Sequence, residues 1–182
     1  MNEKESEKKQ YSLKIVIIGE PGVGKTSLVK RFVSNLFTKD YKASIGTNMY
    51  VKKLFLKERE ITLAIWDIAG QEQWANMRHK YYRGSQGGFI VGDLSRKNTF
   101  EKIKTFWIED LRKHCSDIPF LLIANKGDLN ENVSKEDIEA ISRSIRANNL
   151  IITSAKTGEN VKSAFKIITQ LIVEKNESKI VS

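Results

Sequence analysis

Apolar runs of strand length recur along the chain and alternate with longer segments of helical periodicity. Strands of a parallel sheet are buried on both faces and read as nearly continuous apolar runs, so four of these runs predict parallel strands. Two further apolar segments flank KERE (57–60), which predicts an antiparallel hairpin. In chain order, the predicted strands are LKIVIIG (13–19), YVKKLFL (50–56), ITLAIWD (61–67), GGFIVGDL (87–94), FLLIAN (120–125) and LIITSA (150–155).

Helical patterns fill the intervals between these strands. They run from Gly24 to about Asn35, from Lys97 to about His114, from Lys135 to about Asn148 and from Val161 to about Lys175. Strands that alternate with helices predict an α/β fold, in which a mostly parallel sheet is covered on both faces. Ligands of such sheets bind at the carboxyl ends of the strands, so we expect the chemistry in the loops that follow the strands.

The chain is predicted to form one domain with two short tails. Residues 1–10 are charged and poor in apolar side chains, which predicts a disordered N-terminal tail. Residues 11–176 are expected to form the domain, and residues 177–182 are expected to form a C-terminal tail.

The composition narrows the setting of the protein. Hydrophobic residues make up 40% and charged residues 29%, as in ordinary soluble proteins. The single cysteine, Cys115, cannot form an internal disulfide, which favours the reducing cytoplasm. The net charge is +9, but the lysines are scattered and no RNA-binding or zinc-finger signature accompanies them. We therefore expect a cytoplasmic protein with a solvated basic surface and no nucleic-acid partner.

The stretch GEPGVGKT (19–26) lies between the first predicted strand and the first predicted helix and fits G-x-x-x-x-G-K-[ST]. Its glycines let the backbone curl so that consecutive N–H groups point at an anion, and the positive end of the helix adds to the attraction. Lys25 brings charge to the outer phosphates of a nucleotide, and Thr26 offers a hydroxyl ligand to Mg²⁺. A glycine-rich turn that merely starts a helix is the alternative. The predicted phosphate-binding residues are Gly22, Val23, Gly24, Lys25, Thr26 and Ser27.

The base must be identified by another motif, because ATPases, kinases and GTPases all use such a loop. NKGD (125–128) ends a predicted strand, and Asp128 can accept hydrogen bonds from the ring N–H and the exocyclic amine of guanine. A site built around such buried bonds rejects the wrong base by about 10⁴ or more. Asn125 can brace the loop and contact the base, and the stem of Lys126 can cover its ring. Alone, NKGD also fits a polar turn, but its position behind a phosphate loop favours guanine.

WDIAGQE (66–72) ends the second hairpin strand. Asp67 is placed to reach Mg²⁺ through water, and Gly70 offers an N–H to the terminal phosphate. Gln71 can orient an attacking water. This stretch therefore predicts the hydrolytic part of the site.

TSAK (153–156) follows the last predicted strand. The N–H of Ala155 can meet the carbonyl oxygen of guanine, and Ser154 and Lys156 belong to the same predicted base-binding loop. The motif is short and weak by itself, so its value lies in its order after the other three.

In the order GEPGVGKT, WDIAGQE, NKGD and SAK, the chain closely resembles the Ras superfamily of small GTPases over residues 12–175. It is most similar to the Rab branch, on the evidence of YKASIG (41–46), YYRGSQGG (81–88) and the helix that contains Trp107. The resemblance implies the P-loop NTPase fold of a G domain, with six strands and five helices, and Mg²⁺-dependent binding of GTP and GDP. It also implies slow hydrolysis, about 10⁻⁴ to 10⁻³ per second with Ras as the reference. The catalytic residues it implies are Gln71, Lys25 and Gly70.

The resemblance assigns two further residues by their spacing. Phe37 matches the aromatic residue that packs edge-on against guanine. Ser44 stands where the family has a threonine that ligates Mg²⁺ and senses the terminal phosphate, whereas Thr47 is expected to begin a strand. The predicted metal ligands are Thr26, Ser44 and Asp67.

Rab proteins also carry an aromatic triad that takes part in effector recognition. Met49 replaces its phenylalanine, and Trp66 and Tyr82 are predicted to supply the other two members. The usual effector surface is therefore expected in an altered form.

The family implies protein effectors, an exchange factor and an activating protein at two switch loops, expected over residues 38–47 and 68–80. We expect a monomer. The C-terminal ESKIVS has no cysteine for a prenyl group and Asn2 replaces the glycine needed for myristoylation, so no lipid anchor is expected on this chain. Peripheral contact with a membrane stays open.

Two alternatives stay open as well. One is a nucleotide-stabilised interaction module that holds GTP or GDP without cycling, because Pro21 and Ser44 depart from the family pattern. The other is a P-loop kinase or ATPase, against which NKGD speaks. Outside the motifs, Cys115 is expected to pack rather than to react, and four residues are expected at the solvated surface: Arg78, His79, Arg83 and His114.

Overall fold

The computed structural model describes residues 9–37, 46–71, 75–115 and 117–181. Six strands form one sheet: β1 (Gln10–Ile18), β2 (Thr47–Leu56), β3 (Arg59–Ile68), β4 (Gly87–Asp93), β5 (Phe120–Asn125) and β6 (Asn149–Ile152). Their order across the sheet is β2-β3-β1-β4-β5-β6. The β2–β3 hairpin is antiparallel and every other neighbouring pair is parallel, which confirms the predicted sheet.

Helices cover both faces of this sheet. They are α1 (Lys25–Ser34), α2 (Ala75–Tyr82), α3 (Lys97–Lys102), α4 (Ile108–His114), α5 (Lys135–Ser144) and α6 (Val161–Val181). A π-helical turn, Ile103–Trp107, joins α3 to α4 into one continuous rod. The described residues therefore contain five helical rods, as the resemblance implied. Among these residues, no helix has the length and apolarity needed to cross a membrane.

Several element ends differ from the sequence-based boundaries. β1 begins at Gln10, inside the predicted tail, whereas residues 1–8 lie outside the described part of the chain. α6 passes its predicted end at Lys175 and continues to Val181. Its last turns are held by polar contacts that an apolar pattern does not reveal. Glu177 accepts hydrogen bonds from Tyr11 Oη at 2.6 Å and from Arg59 Nη2 at 2.8 Å.

The alternation of β1 divides the core into two halves. Ile15 and Ile17 pack on the face covered by α1 and α6, and Val16 and Ile18 pack on the face covered by the α3–α4 rod and α5. All four side chains are fully buried. Because β1 is clamped from both sides, the loop at its carboxyl end starts from a rigid position.

A buried polar cluster joins α2 to α4. Arg78 is only 3% exposed, and its Nε lies 3.1 Å from Asp110 Oδ2. Its guanidinium carbon lies 5.0 Å from the ring centres of Phe106 and Trp107. The hydroxyl of the buried Tyr82 donates to the same carboxylate oxygen at 2.8 Å. The expectation of a solvated Arg78 is therefore wrong, because an arginine can be buried where a carboxylate and aromatic rings receive it.

The sequence also predicted the environments of His114 and Cys115, which lie next to this cluster. His114 is partly buried and its ring stacks on Tyr82, with 5.6 Å between centres, so it is not a fully solvated residue. Cys115 is buried, and burial raises the pKa of its thiol to about 11. A thiol that stays protonated at neutral pH packs rather than reacts, as the sequence predicted.

The Arg78 ion pair yields a stability prediction. Replacing Arg78 by alanine leaves Asp110 without its cation, so we expect the free energy of unfolding to fall by about 3 kcal/mol. Urea denaturation measures this change. Arg83→Ala is the matched control: Arg83 is exposed, and its replacement should change the free energy by less than about 0.5 kcal/mol. Equal effects of the two substitutions would contradict a structural role for Arg78.

Candidate functional site

The predicted phosphate loop, residues 19–24, connects β1 to α1 at the carboxyl edge of the sheet. Gly24 has a φ of 101°, a left-handed value that residues with side chains rarely adopt. A Cβ at Gly24 would lie 2.3 Å from Asn125 Nδ2. Glycine is therefore required here for two reasons: the turn itself and the close approach of the NKGD segment.

Asn125 connects three of the predicted motifs. Its Nδ2 donates to the carbonyl oxygen of Val23 at 2.9 Å. Its Oδ1 accepts from Thr153 Oγ1 at 3.1 Å and from the N–H of Ala155 at 3.2 Å. The side chain is 1% exposed. The amide thereby fixes the phosphate loop and the SAK loop relative to the end of β5.

Asp128 lies beside the SAK loop. Its Oδ1 accepts from Ser154 Oγ at 2.6 Å, and its Oδ2 lies 3.5 Å from Lys156 Nζ. Burial opposes ionisation, but the hydrogen bonds from Ser154, from its own backbone N–H and from Lys156 outweigh it and hold the pKa of Asp128 below the usual value. The carboxylate is therefore ionised at neutral pH and oriented by the SAK loop.

Asp93, at the end of β4, is a buried junction that the sequence reasoning missed. It accepts hydrogen bonds from Ser95 Oγ at 2.6 Å and Arg96 Nε at 2.8 Å, and its Oδ2 lies 2.7 Å from Lys126 Nζ. Burial opposes ionisation, but these three partners together lower the pKa of Asp93. Arg96 also donates to the carbonyl oxygen of Pro21 at 2.9 Å. The one indication in the sequence was an acidic residue, Asp93, near the end of the apolar run GGFIVGDL.

The phosphate loop is also attached to the α3–α4 rod. Trp107 Nε1 donates to Glu20 Oε1 at 2.9 Å, and the indole is buried. Nothing in the sequence indicates that Glu20, inside the loop motif, and Trp107, on a helix, are in contact. Together with Arg96, this contact fixes the outer part of the loop.

Lys25 is buried at the start of α1. Its Nζ donates to the carbonyl oxygens of Gly19 at 2.7 Å and Glu20 at 2.9 Å. Burial lowers the pKa of Lys25 to about 8. Near neutral pH, the amine therefore carries a charge that its surroundings disfavour and that an anionic ligand would stabilise.

Thr26 and Asp67 form the second half of the phosphate end. Thr26 Oγ1 donates to Asp67 Oδ2 at 2.5 Å. The other carboxylate oxygen of Asp67 is buried and accepts no hydrogen bond from the described residues. Burial raises the pKa of Asp67. A hydroxyl and a buried carboxylate oxygen without a donor are ligands that suit Mg²⁺, so these two residues fit the predicted metal site.

Gly70 packs directly on the phosphate loop. A Cβ on Gly70 would lie 2.4 Å from the carbonyl oxygen of Gly19, so only glycine permits this contact. Gln71 follows it and is partly buried. Both residues thus lie at the predicted phosphate end of the site.

The structure corrects the predicted aromatic triad. Tyr82 is completely buried and faces Asp110. Tyr81 instead approaches Trp66, with 5.9 Å between ring centres. Met49 pairs with Trp66 across the β2–β3 ladder and is 57% exposed. The group around Trp66 therefore consists of the exposed Met49 and the partly buried rings of Trp66 and Tyr81, and the sequence prediction selected the wrong member of the Tyr-Tyr pair.

The remaining predicted residues are distributed as follows. Ser27 lies in the first turn of α1, and Thr47 begins β2 as expected. Phe37 is partly buried beyond the end of α1, and its ring centre lies 5.9 Å from the guanidinium carbon of Arg31. Ser44 lies outside the described residues.

The lowered pKa of Lys25 predicts a pH dependence of ligand binding. A phosphate favours the protonated amine, so GDP should bind more weakly as the pH rises from 7 to 9, with proton uptake near pH 8.5. Calorimetric titration in two buffers of different ionisation enthalpy measures this uptake. In Lys25→Arg the guanidinium stays charged, and any remaining binding should take up no proton from this position. Identical heats for the parent protein in both buffers would contradict the prediction.

Known proteins are similar to this chain over nearly its whole length. The family described as the Ras family matches residues 14–174. Ypt/Rab-type GTPase ypt7 of Schizosaccharomyces pombe is 35% identical over 178 residues, which cover 94% of this chain and 87% of the relative. Ras-related protein Rab-1 of Theileria parva is 37% identical over 168 residues, with coverages of 91% and 76%. Ras-related protein Rab-32 of Homo sapiens is 37% identical over 180 residues, with coverages of 94% and 80%.

These matches confirm the predicted family and the GTP-hydrolase assignment. They extend well beyond the four motifs, and the family match begins within β1 and ends within α6. We conclude that the chain belongs to the Ras family and is a Rab-like small GTPase.

Proposed function

We propose that this protein binds GTP and GDP with Mg²⁺ at the carboxyl edge of the sheet and acts as a molecular switch in trafficking or signalling. The observation that carries the proposal is the buried amide of Asn125. Its three hydrogen bonds join the phosphate loop to the NKGD and SAK segments. A nucleotide needs one site for its phosphates and another for its base, and this amide holds the two sites in register.

At the base end, Asp128 would accept hydrogen bonds from the ring N–H and the exocyclic amine of guanine. Its lowered pKa supports this role because the ionised carboxylate accepts hydrogen bonds and donates none. The stem of Lys126 would cover the ring while Asp93 holds its amine at 2.7 Å. The proposed base-binding residues are Phe37, Asn125, Lys126, Asp128, Ser154, Ala155 and Lys156.

At the phosphate end, the charge of Lys25 and the backbone of residues 22–27 would hold the anion. Thr26 and Asp67 would ligate Mg²⁺, which when bound neutralises charge on the phosphates. We assign the third protein ligand to Ser44 by its spacing in the sequence. The buried carboxylate oxygen of Asp67 without a hydrogen-bond donor supports this arrangement.

For hydrolysis, Gln71 would orient the attacking water and the N–H of Gly70 would bind the terminal phosphate. The close packing of Gly70 on the phosphate loop supports this role. Loss of the phosphate would release Gly70 and Ser44, and this would change the surface formed by residues 38–47 and 68–80.

We further propose that the protein works as a monomer in the cytoplasm, from which it can contact a membrane peripherally. Effectors, an exchange factor and an activating protein would bind beside the group formed by Met49, Trp66 and Tyr81. The similarity to Rab-type GTPases supports these partners. β1 begins at Gln10 and α6 continues to Val181, which supports a G domain that reaches slightly past the limits of 11 and 176 expected from the sequence.

The base assignment can be tested by competition against labelled GDP. We expect ATP at equal concentration not to displace GDP from the parent protein. Asp128→Ala should reduce the preference for GDP over ATP by about 100-fold or more, because two hydrogen bonds to a charged acceptor are lost. Asp137→Ala, which removes an exposed acid on α5, should keep the preference of the parent protein. Displacement of GDP by equimolar ATP would contradict the guanine assignment and favour an ATPase or kinase.

The hydrolytic role of Gln71 can be tested by single-turnover phosphate release. We expect Gln71→Leu to slow hydrolysis by about tenfold or more, because the attacking water loses its orientation. GDP affinity should not change, and Gln170→Leu on the exposed side of α6 should hydrolyse GTP like the parent protein. A Gln71→Leu variant as fast as the parent would remove Gln71 from the mechanism. If the parent released no phosphate above buffer, the non-cycling module would be the better description.

A further inference from the structure

Arg31, on the last turn of α1, lies outside the four motifs but reaches the SAK loop. Its Nε donates to the carbonyl oxygen of Ala155 at 2.8 Å, and its Nη2 donates to that of Lys156 at 2.5 Å. Its Nη1 donates to the carbonyl oxygen of Asn35 at 3.1 Å. A guanidinium is a planar fork with its donors in fixed directions, so it fixes these three carbonyl groups relative to one another.

These bonds also determine where the amide groups of the loop point. In a planar trans peptide, the C=O and the N–H point in opposite directions. Because Arg31 holds the carbonyl of Ala155, the N–H of Lys156 in the same peptide unit points away from α1. The N–H groups on either side are engaged: that of Ala155 bonds to Asn125 Oδ1 and that of Thr157 bonds to Ser154 Oγ. Within the described residues, the N–H of Lys156 has no such partner.

Arg31 also contacts the segment that leads to Phe37. The helix α1 ends at Ser34, and the next residue, Asn35, has a φ of 55° that turns the chain. Arg31 holds the carbonyl of Asn35, and its guanidinium carbon lies 5.9 Å from the ring centre of Phe37, near the outer limit of a cation–π contact. One side chain thus contacts two walls of the proposed base site, the SAK loop and the aromatic residue.

We propose that Arg31 is a positioning residue for guanine recognition. It orients the Ala155–Lys156 peptide so that the N–H of Lys156 meets the carbonyl oxygen of guanine, and it holds Phe37 beside the ring. It acts through these groups and does not itself contact the nucleotide. The inference rests on the guanine site proposed above and adds to it a specificity determinant in α1.

The proposal can be tested with two nucleotides that each change one edge of the base. 6-Thioguanosine diphosphate replaces the carbonyl oxygen by sulfur, a poorer acceptor, and keeps the ring N–H and the amine. Inosine diphosphate lacks the amine that Asp128 would read and keeps the carbonyl oxygen. Dissociation constants for GDP and both analogues are measured by competition against labelled GDP, and the rate of GDP release is measured separately.

We expect Arg31→Gln to lose selectivity at one edge of the base only. Its preference for GDP over 6-thioguanosine diphosphate should fall toward one, because the N–H of Lys156 is no longer aligned with the oxygen. Its preference for GDP over inosine diphosphate should stay within about twofold of the parent value, and GDP release should accelerate by about tenfold.

Two further variants separate positioning from folding. Arg112→Gln is the matched control, because Arg112 Nη2 also donates to a backbone carbonyl, that of Ile145, at 2.9 Å between α4 and the end of α5. It should bind all three nucleotides like the parent protein. Arg31→Lys keeps the charge near Phe37 but not the fork, so it should show the same selective loss in a milder form. It serves as the test variant if Arg31→Gln does not fold.

The possible results separate a failure of the Arg31 proposal from a failure of the guanine site on which it rests. If the parent protein fails to prefer GDP over either analogue, the proposed guanine site is wrong. If the parent discriminates and the Arg31 variants keep both preference ratios, Arg31 has a structural role alone and the proposal is overturned. A uniform loss of affinity for all three nucleotides also overturns the positioning of the SAK loop, because displacement of Phe37 alone would weaken all three equally, whereas a misaligned N–H would weaken GDP and inosine diphosphate more than the thio analogue.

Discussion

The buried amide of Asn125 is the interaction on which the site depends. It sits at the carboxyl end of β5 and donates to Val23 in one loop while it accepts from Thr153 and Ala155 in another. A buried amide with partners on both sides is costly to leave unsatisfied, so the three segments are stable only together. This requirement explains why Gly24 has no side chain: a Cβ there would displace the amide. Folding of the core and assembly of the site are therefore one event.

The charged groups around this amide fall into two classes. Asp93 and Asp128 have lowered pKa values because hydrogen bonds inside the protein outweigh the effect of burial. Lys25 and Asp67 have pKa values shifted towards their neutral forms because burial dominates. The charges of Asp93 and Asp128 are compensated by hydrogen bonds and ion pairs within the protein, and the two carboxylates orient neighbouring groups. The buried charges of Lys25 and Asp67 are unfavourable, and a phosphate and a divalent cation would offset this cost. Bound nucleotide should therefore stabilise the fold.

Contacts made by the α3–α4 rod connect the phosphate loop to α2. Trp107 binds Glu20 of the phosphate loop on one side and lies against the guanidinium of Arg78 on the other. Arg78 in turn is paired with Asp110. A continuous set of packed side chains therefore joins the phosphate loop to the helix that follows WDIAGQE. These contacts hold α2 and the phosphate loop in fixed positions relative to the α3–α4 rod.

The sequence by itself determined the strands, the mostly parallel character of the sheet and the four motifs, because apolar runs and obligatory glycines act over a few residues. Tertiary structure alone decided which polar residues meet. Arg78 is buried because Asp110 and two aromatic rings receive it, Tyr81 rather than Tyr82 faces Trp66, and Arg31 reaches the SAK loop from a different element. A hydrophobic pattern reports which side of an element is buried, but a polar side chain is placed by partners distant in the chain. Only the packed fold brings those partners within hydrogen-bond distance.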